Sequence, residues 1–209
     1  MDQKPKSRGL KKSFHEVETP LTSSKVSLYG TSVEEFDGRA IILDLTKNLR
    51  GKNLELKMKI KNEDGKLKAT PVRAALAQSY IRRSMRRGID YVEDSFKTKC
   101  RDAIFIVKPF LITRRKVSRN IRNALRNEAR KFATEYLKIR TTKELFSDII
   151  ANKLQRGMSF ALKKIYPLAF CEIRVLELVS EKAMEEIGEE EMRRLQEEKN
   201  ALEKEVSDK

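Results

Sequence analysis

The sequence contains no tryptophan, one histidine and two cysteines among its 209 residues. Cys100 and Cys171 allow at most one disulfide and lack the CxxC spacing of a zinc site. We expect two reduced thiols in the core, because proteins inside the cell rarely keep disulfides. The single histidine, His15, has no recognisable nucleophile near it in the sequence, so histidine-dependent catalysis finds no support.

Long apolar runs are also missing. The longest, residues 40–45 and 103–112, fall short of the roughly 18 residues that a membrane span requires. No apolar run follows the basic N-terminus, which predicts that the chain has no secretory signal and stays inside the cell. Phosphate-binding glycine loops and the HExxH pattern are absent from the sequence. We therefore expect no membrane contact, no metal and no cofactor.

Acidic residues are too few to balance the basic ones. The sequence has 46 Lys+Arg and 31 Asp+Glu, a formal net charge of +15, which exceeds the magnitude of about 2 to 8 typical of a soluble small domain. A polyanionic partner explains such an excess. Residues 181–209 hold six basic and eleven acidic residues, a net −5, so the first 180 residues carry +20.

The charge pattern divides the chain into three predicted segments. Residues 1–35 form a basic extended arm followed by irregular chain. Residues 36–180 form an α+β domain. Residues 181–209 form an acidic, solvated helical tail, because its apolar residues do not sustain coiled-coil heptads. The basic residues of the arm, which we expect to be ordered only on an anionic partner, are Lys4, Lys6, Arg8, Lys11 and Lys12.

Hydrophobic periodicity predicts both strands and helices in the middle segment. The predicted strands cover residues 40–45, 53–61, a hairpin partner from Leu67, 89–97, 102–112 and 170–179. The predicted helices cover residues 74–87, 118–139, a stretch opened by a capping box at Thr141, and 155–165. This order is typical of an α+β fold, a small antiparallel β-barrel or curved sheet with packed helices.

Residues 113–131 are the most basic segment, with eight Lys/Arg and one acid, Glu128. On a helical wheel a stripe about 80° wide, opposite an apolar face, holds Arg115, Arg119, Arg122, Arg126 and Arg130. Guanidinium groups can fork two phosphate oxygens and stack on bases, so this face predicts contact with structured RNA. The predicted contact residues are Arg114, Arg115, Lys116, Arg119, Arg122, Arg126 and Arg130.

A second basic stretch, residues 80–87 with the sequence YIRRSMRR, repeats this pattern. Part of its charge also complements the helix dipole, because it lies in the last turn of a predicted helix. We expect RNA contacts from Arg82, Arg83, Arg86 and Arg87.

The acids near residue 100 raise a different hypothesis, the metal cluster of a nuclease. They are Asp90, Glu93, Asp94 and Asp102. Basic residues lie between them and they fall on separate strand ends, so ion pairing is the simpler expectation. The fourteen Phe and Tyr residues form no aromatic-rich strand, and the sequence therefore predicts no platform for stacking single-stranded bases.

The order of these motifs resembles a known family. The motifs, in chain order, are YIRRSMRR, the strand pair DYVEDSFKTKCRDAIFIVKPFLITRRK, the arginine-rich helix predicted at 118–139, and KKIYPLAFCEIRVLELV. They fall within about residues 36–180. Ile165-Tyr166-Pro167-Leu168 and Thr113-Arg114-Arg115-Lys116 are the most specific parts. Together they resemble the S1e (S3Ae) family of small-subunit ribosomal proteins of archaea and eukaryotes.

The resemblance implies a structural, non-enzymatic constituent of the small ribosomal subunit in the cytoplasm, present in one copy. It implies a place on the platform near the mRNA exit, with small-subunit rRNA and neighbouring platform proteins as partners. It also implies that Arg114, Arg115, Lys116, Arg119 and Arg122 contact the rRNA backbone. The alternatives are a metal-dependent nuclease and a free DNA-binding regulator.

Overall fold

Residues 12–22, 26–49, 51–63 and 65–179 are described in the computed structural model. The strands of this part of the chain are β1 (Ser13–Glu18), β2 (Val26–Gly30), β3 (Ala40–Asp44), β4 (Leu54–Glu63), β5 (Lys66–Leu76), β6 (Tyr91–Glu93), β7 (Phe96–Lys99), β8 (Ile104–Thr113) and β9 (Leu168–Leu178). The helices are a 3-10 turn (Glu34–Phe36), α1 (Gln78–Ser84), α2 (Arg119–Ile139), α3 (Thr142–Ile150) and α4 (Lys153–Leu162). The predictions for residues 1–11 and for the acidic tail lie outside the described residues.

The described strands form one sheet. Its main path runs β2-β1-β5-β9-β8-β6, with β4 and β3 following on the other edge of β5, and β7 beside β8. The pairings are antiparallel except for β1 with β5, which is parallel. The predicted α+β class is confirmed. The predicted closed barrel is wrong, because the described strands form an open mixed sheet.

The hairpin of β4 and β5 shows how the sequence builds the sheet. Every second side chain of β4 from Leu54 to Ile60 is at most 1% exposed, and the residues between them are exposed. Strand residues alternate between the two faces, so this pattern places one face of the sheet in the core. Gly65 has a φ of 78°, which suits the predicted turn. The hairpin prediction is confirmed.

Helices α2, α3 and α4 cover the core with apolar stripes. In α2, Leu125, Ala129, Ala133 and Leu137 are buried at four-residue intervals, which is the spacing of one helix face. Phe146 of α3 packs edge-on against a phenylalanine of β8, with ring centroids 6.0 Å apart. The predicted helix at 118–139 and the capping box of the next helix are confirmed. No described helix is long and apolar enough to span a bilayer.

Three local predictions are wrong. The helix expected at 74–87 is only α1, because residues 74–76 extend β5 and pair with both β4 and β9. The strand expected at 89–97 is split into β6 and β7, which pair with different parts of β8. Residues 13–30 contain a β-hairpin where irregular chain was expected. The division into arm, domain and tail stays a prediction.

Gly30 makes a close approach that a larger residue cannot. A Cβ atom there would lie 2.2 Å from Cζ of Phe36, whose ring is 1% exposed. We expect Gly30→Ala to lower the free energy of unfolding by about 1–3 kcal/mol, because overpacking displaces the ring. Urea unfolding followed by circular dichroism measures this change. Adding Phe36→Leu removes Cζ, so the double variant should lose less than the sum of the single variants. Simple additivity would contradict the clash.

Candidate nucleic-acid interface

The arginines of α2 lie beside its buried stripe and not opposite it, because Arg122, Arg126 and Arg130 are each about 60–100° on a helical wheel from the buried residues nearest to them along the helix. Ser118 caps the helix, with Oγ accepting from the backbone N–H of Ile121 at 3.5 Å. Arg119 and Arg126 are exposed, and Arg115 is exposed in the turn before the helix. Within the described residues, none of these three arginines forms a salt bridge. Arg126 donates to the neutral amide oxygen Oδ1 of Asn123 at 3.5 Å, so its charge, like those of Arg115 and Arg119, stays available to an anionic partner.

Two other predicted contacts on α2 have different surroundings. Arg130 donates two hydrogen bonds of 3.0 Å to the carboxylate of Asp94 and lies over the ring of Phe96, 5.3 Å from its centroid. Its charge is thus already neutralised by a neighbour. Arg122 is half-buried, and its Nε is buried without a hydrogen-bond partner in the described part of the chain. The five cations of the predicted stripe are therefore not equivalent.

Two of the acids near residue 100, Asp90 and Asp94, hold α2 in position. Asp94 makes the ion pair with Arg130, and Oδ2 of Asp90 accepts the backbone N–H of Val117 at 2.9 Å, just before the helix. Glu93 pairs with Arg174 of β9 at 3.1 Å. Ion pairing is confirmed for Glu93 and Asp94. The described residues bring together no group of three or more His, Cys, Asp or Glu side chains suited to a metal ion.

Arginines from two separate segments meet in one cavity. Arg83 and Arg86, from α1 and the turn after it, line a cavity of about 610 Å³ together with Arg114, which follows β8. Tyr80 and Phe170 contribute an aromatic part of its wall, with ring centroids 5.8 Å apart. None of the described residues that line it is acidic. We call this cavity, with its three arginines, the arginine groove.

Polar contacts hold two of the three arginines of the arginine groove. Thr113 is fully buried, and its Oγ1 lies 2.9 Å from the carbonyl oxygen of Asp90 and 2.7 Å from that of Arg115. These contacts fix the turn that carries Arg114. Arg83 donates to Oδ1 of Asn53 at 3.0 Å. The arginine groove is thus built before any ligand binds, which reduces the entropy lost on binding.

The remaining predicted contacts are spread over the surface. Exposed side chains that do not line the arginine groove are Lys12, Arg82, Arg87 and Lys116. Lys12 lies over the ring of Tyr29, with Nζ 6.0 Å from the centroid. The arm residues Lys4, Lys6, Arg8 and Lys11 lie outside the described residues.

Helix α4 and its C-terminal turn carry exposed cations that are not among the predicted contacts. Arg156, Lys163 and Lys164 are exposed there, and Phe160 is 75% exposed beside them in the sequence. Residues 153–164, KLQRGMSFALKK, contain four cations and no acid. This excess of basic residues could have marked α4 as a candidate RNA contact, since a similar excess marks α2.

Comparison with known proteins decides the family. A model described as the Ribosomal S3Ae family matches residues 7–182. The chain belongs to the Ribosomal S3Ae family. It is 31% identical over 199 residues to small ribosomal subunit protein eS1 of Thermoplasma acidophilum, covering 88% of this chain and 89% of that protein. It is 28% identical over 172 residues to small ribosomal subunit protein eS1 of Nanoarchaeum equitans, covering 78% and 87%.

A third S3Ae relative gives the same result. Small ribosomal subunit protein eS1 of Thermoplasma volcanium is 31% identical over 199 residues, which cover 88% of this chain and 90% of that protein. The resemblance drawn from the order of motifs is confirmed. The S3Ae match begins at residue 7, earlier than the predicted start near residue 36, so the β1–β2 hairpin also belongs to the family region.

Proposed function

We propose that this chain is a structural, non-enzymatic constituent of the small ribosomal subunit that binds small-subunit rRNA in the cytoplasm. Three relatives from its family are named as small ribosomal subunit proteins. The observation that carries the RNA assignment is the arginine groove, which three arginines line and where none of the described lining residues is acidic. A single copy on the platform near the mRNA exit, beside other platform proteins, is the finer part of the proposal.

RNA binding here depends on phosphate contacts rather than on reading bases. The arginine groove and the exposed arginines of α2 fork phosphate oxygens, and such contacts set register and orientation without sequence information. Specificity then comes from RNA shape. The ion pair of Asp94 and the backbone contact of Asp90 keep α2 in place, so the spacing of its arginines is fixed when RNA arrives.

The salt dependence of RNA binding distinguishes free arginines from neutralised ones on α2. Arg126→Ala is expected to reduce the slope of log K against log salt by about one, because one phosphate contact and its counterion are lost. Arg130→Ala, one turn away, is the matched control and should leave the slope nearly unchanged, because Asp94 already holds that guanidinium. Titration of a folded small-subunit rRNA fragment at several salt concentrations measures both slopes.

Two outcomes would contradict the proposal. Equal slopes for wild type and Arg126→Ala would remove Arg126 from the RNA interface. Duplex DNA that competes as well as the rRNA fragment at physiological salt would favour a DNA-binding regulator, and cleavage of the fragment on addition of Mg²⁺ would favour a nuclease.

A further inference from the structure

The β1–β2 hairpin carries two aromatic rings on its solvent face. Phe14 of β1 is directly opposite Tyr29 of β2 in the strand register. Their ring centroids are 5.0 Å apart, with planes inclined by 46°. The two side chains are 74% and 58% exposed. Single exposed apolar side chains are normal, but these two rings are in contact and form one continuous apolar patch, which is the pattern typical of a binding site.

The opposite face of the same hairpin attaches it to the core. Val17 is 3% exposed, Leu28 packs against the core, and the ring of His15 is 5.6 Å from that of Phe36. Because strand residues alternate between faces, Phe14 and Tyr29 are left out of this packing. The aromatic pair is therefore not needed to bind the hairpin to the sheet.

Positive charge lies at one end of the aromatic pair. Nζ of Lys12 is 6.0 Å from the centroid of the Tyr29 ring, whereas Glu16 follows Phe14 on the other side along the same strand face. A nucleotide matches this arrangement, because its flat base can stack on the rings and its anionic phosphate can contact the lysine. The preceding sequence adds four more cations, which are Lys4, Lys6, Arg8 and Lys11.

We propose that Phe14 and Tyr29 stack an unpaired RNA base while Lys12 contacts its phosphate. Every base has a π-face, so such a site tolerates different bases and prefers single strands or loops. The inference rests on the proposed rRNA-binding function and adds a site built by other residues than the arginine groove. The sequence predicted no stacking platform, because the pair forms only through the register of two strands.

A tryptophan probe can test this site because the chain has no tryptophan of its own. In full-length Phe14→Trp, a short riboadenylate oligomer should quench the emission saturably, since a stacked base quenches indole fluorescence. Adding Tyr29→Thr should weaken the oligomer's affinity by about tenfold, whereas adding Tyr29→Phe, which keeps the ring, should not. Ile42→Trp, at an exposed position of β3 (66% exposed), is the matched control and should show no quenching.

The outcomes separate this site from the proposed function. If wild type binds the oligomer but the Phe14→Trp emission does not change, the stacking site is wrong and RNA binding stands. The site is also wrong if the emission responds to purified small subunits but to no RNA oligomer, because the pair then faces a protein. If wild type binds neither the oligomer nor a folded rRNA fragment, the proposed function fails and the site fails with it.

Discussion

Reversing the charge of Arg86 and Arg114 together is expected to reduce affinity for a folded small-subunit rRNA fragment by about a hundredfold or more. Each charge-assisted hydrogen bond to a phosphate contributes about 1.5–3 kcal/mol, and the two glutamates of the Arg86→Glu/Arg114→Glu variant add repulsion. Both residues line the arginine groove. Filter binding measures the affinity, and sedimentation of the tagged chain with small subunits should show little incorporation.

The matched control for the arginine groove is Lys57→Glu/Lys59→Glu. Lys57 and Lys59 are exposed on β4, and their reversal changes the net charge by the same amount. We expect this variant to lose far less affinity than the Arg86 and Arg114 variant, and both to keep the wild-type thermal unfolding temperature within a few degrees. Equal losses of affinity would mean that net charge alone attracts the RNA, which would contradict a defined binding site in the arginine groove.

The parts of the fold with strong local periodicity could be predicted from the sequence. The strict alternation in β4 and the four-residue spacing of buried residues in α2 each match a single type of secondary structure. Residues 74–76 fit both a helix and a strand, because alanine and leucine are good helix formers. These residues form a strand because they pair with β4 and β9. A local sequence pattern does not contain such tertiary contacts.

The candidate site was predictable as a list of cations but not as an arrangement. Arg83 and Arg114 belong to basic segments that the sequence marks separately, and only the sheet topology brings both to one cavity. Arg130 occupies the same helical sector as Arg126 but meets Asp94, which lies far from it in the sequence. A helical wheel shows which side chains share a face. It does not show which of them meet an acid from another element.

Removing the buried amine of Lys52 is expected to destabilise the fold strongly. Nζ of Lys52 lies 2.5 Å from the carboxylate of Glu172 on β9 and 2.6 Å from Oδ1 of Asn152, the left-handed residue that precedes α4. Lys52→Met leaves Glu172, whose side chain is 15% exposed, without its cation. Breaking one side of a buried ion pair costs about 3–5 kcal/mol, a large part of the roughly 5–15 kcal/mol of a typical domain. Urea unfolding measures the loss.

The double variant Lys52→Met/Glu172→Leu separates the cost of an unpaired charge from a need for the ion pair itself. Replacing both charges with apolar side chains is often neutral, so most of the lost stability should return. The double variant should also keep the RNA affinity, because a packed core would again hold Gly51, next to Lys52, and Phe170, two residues before Glu172, both of which line the arginine groove. If it were no more stable than Lys52→Met, the unpaired carboxylate would not be the cause. The bond between Lys52 and Asn152 would then account for the stability of this junction.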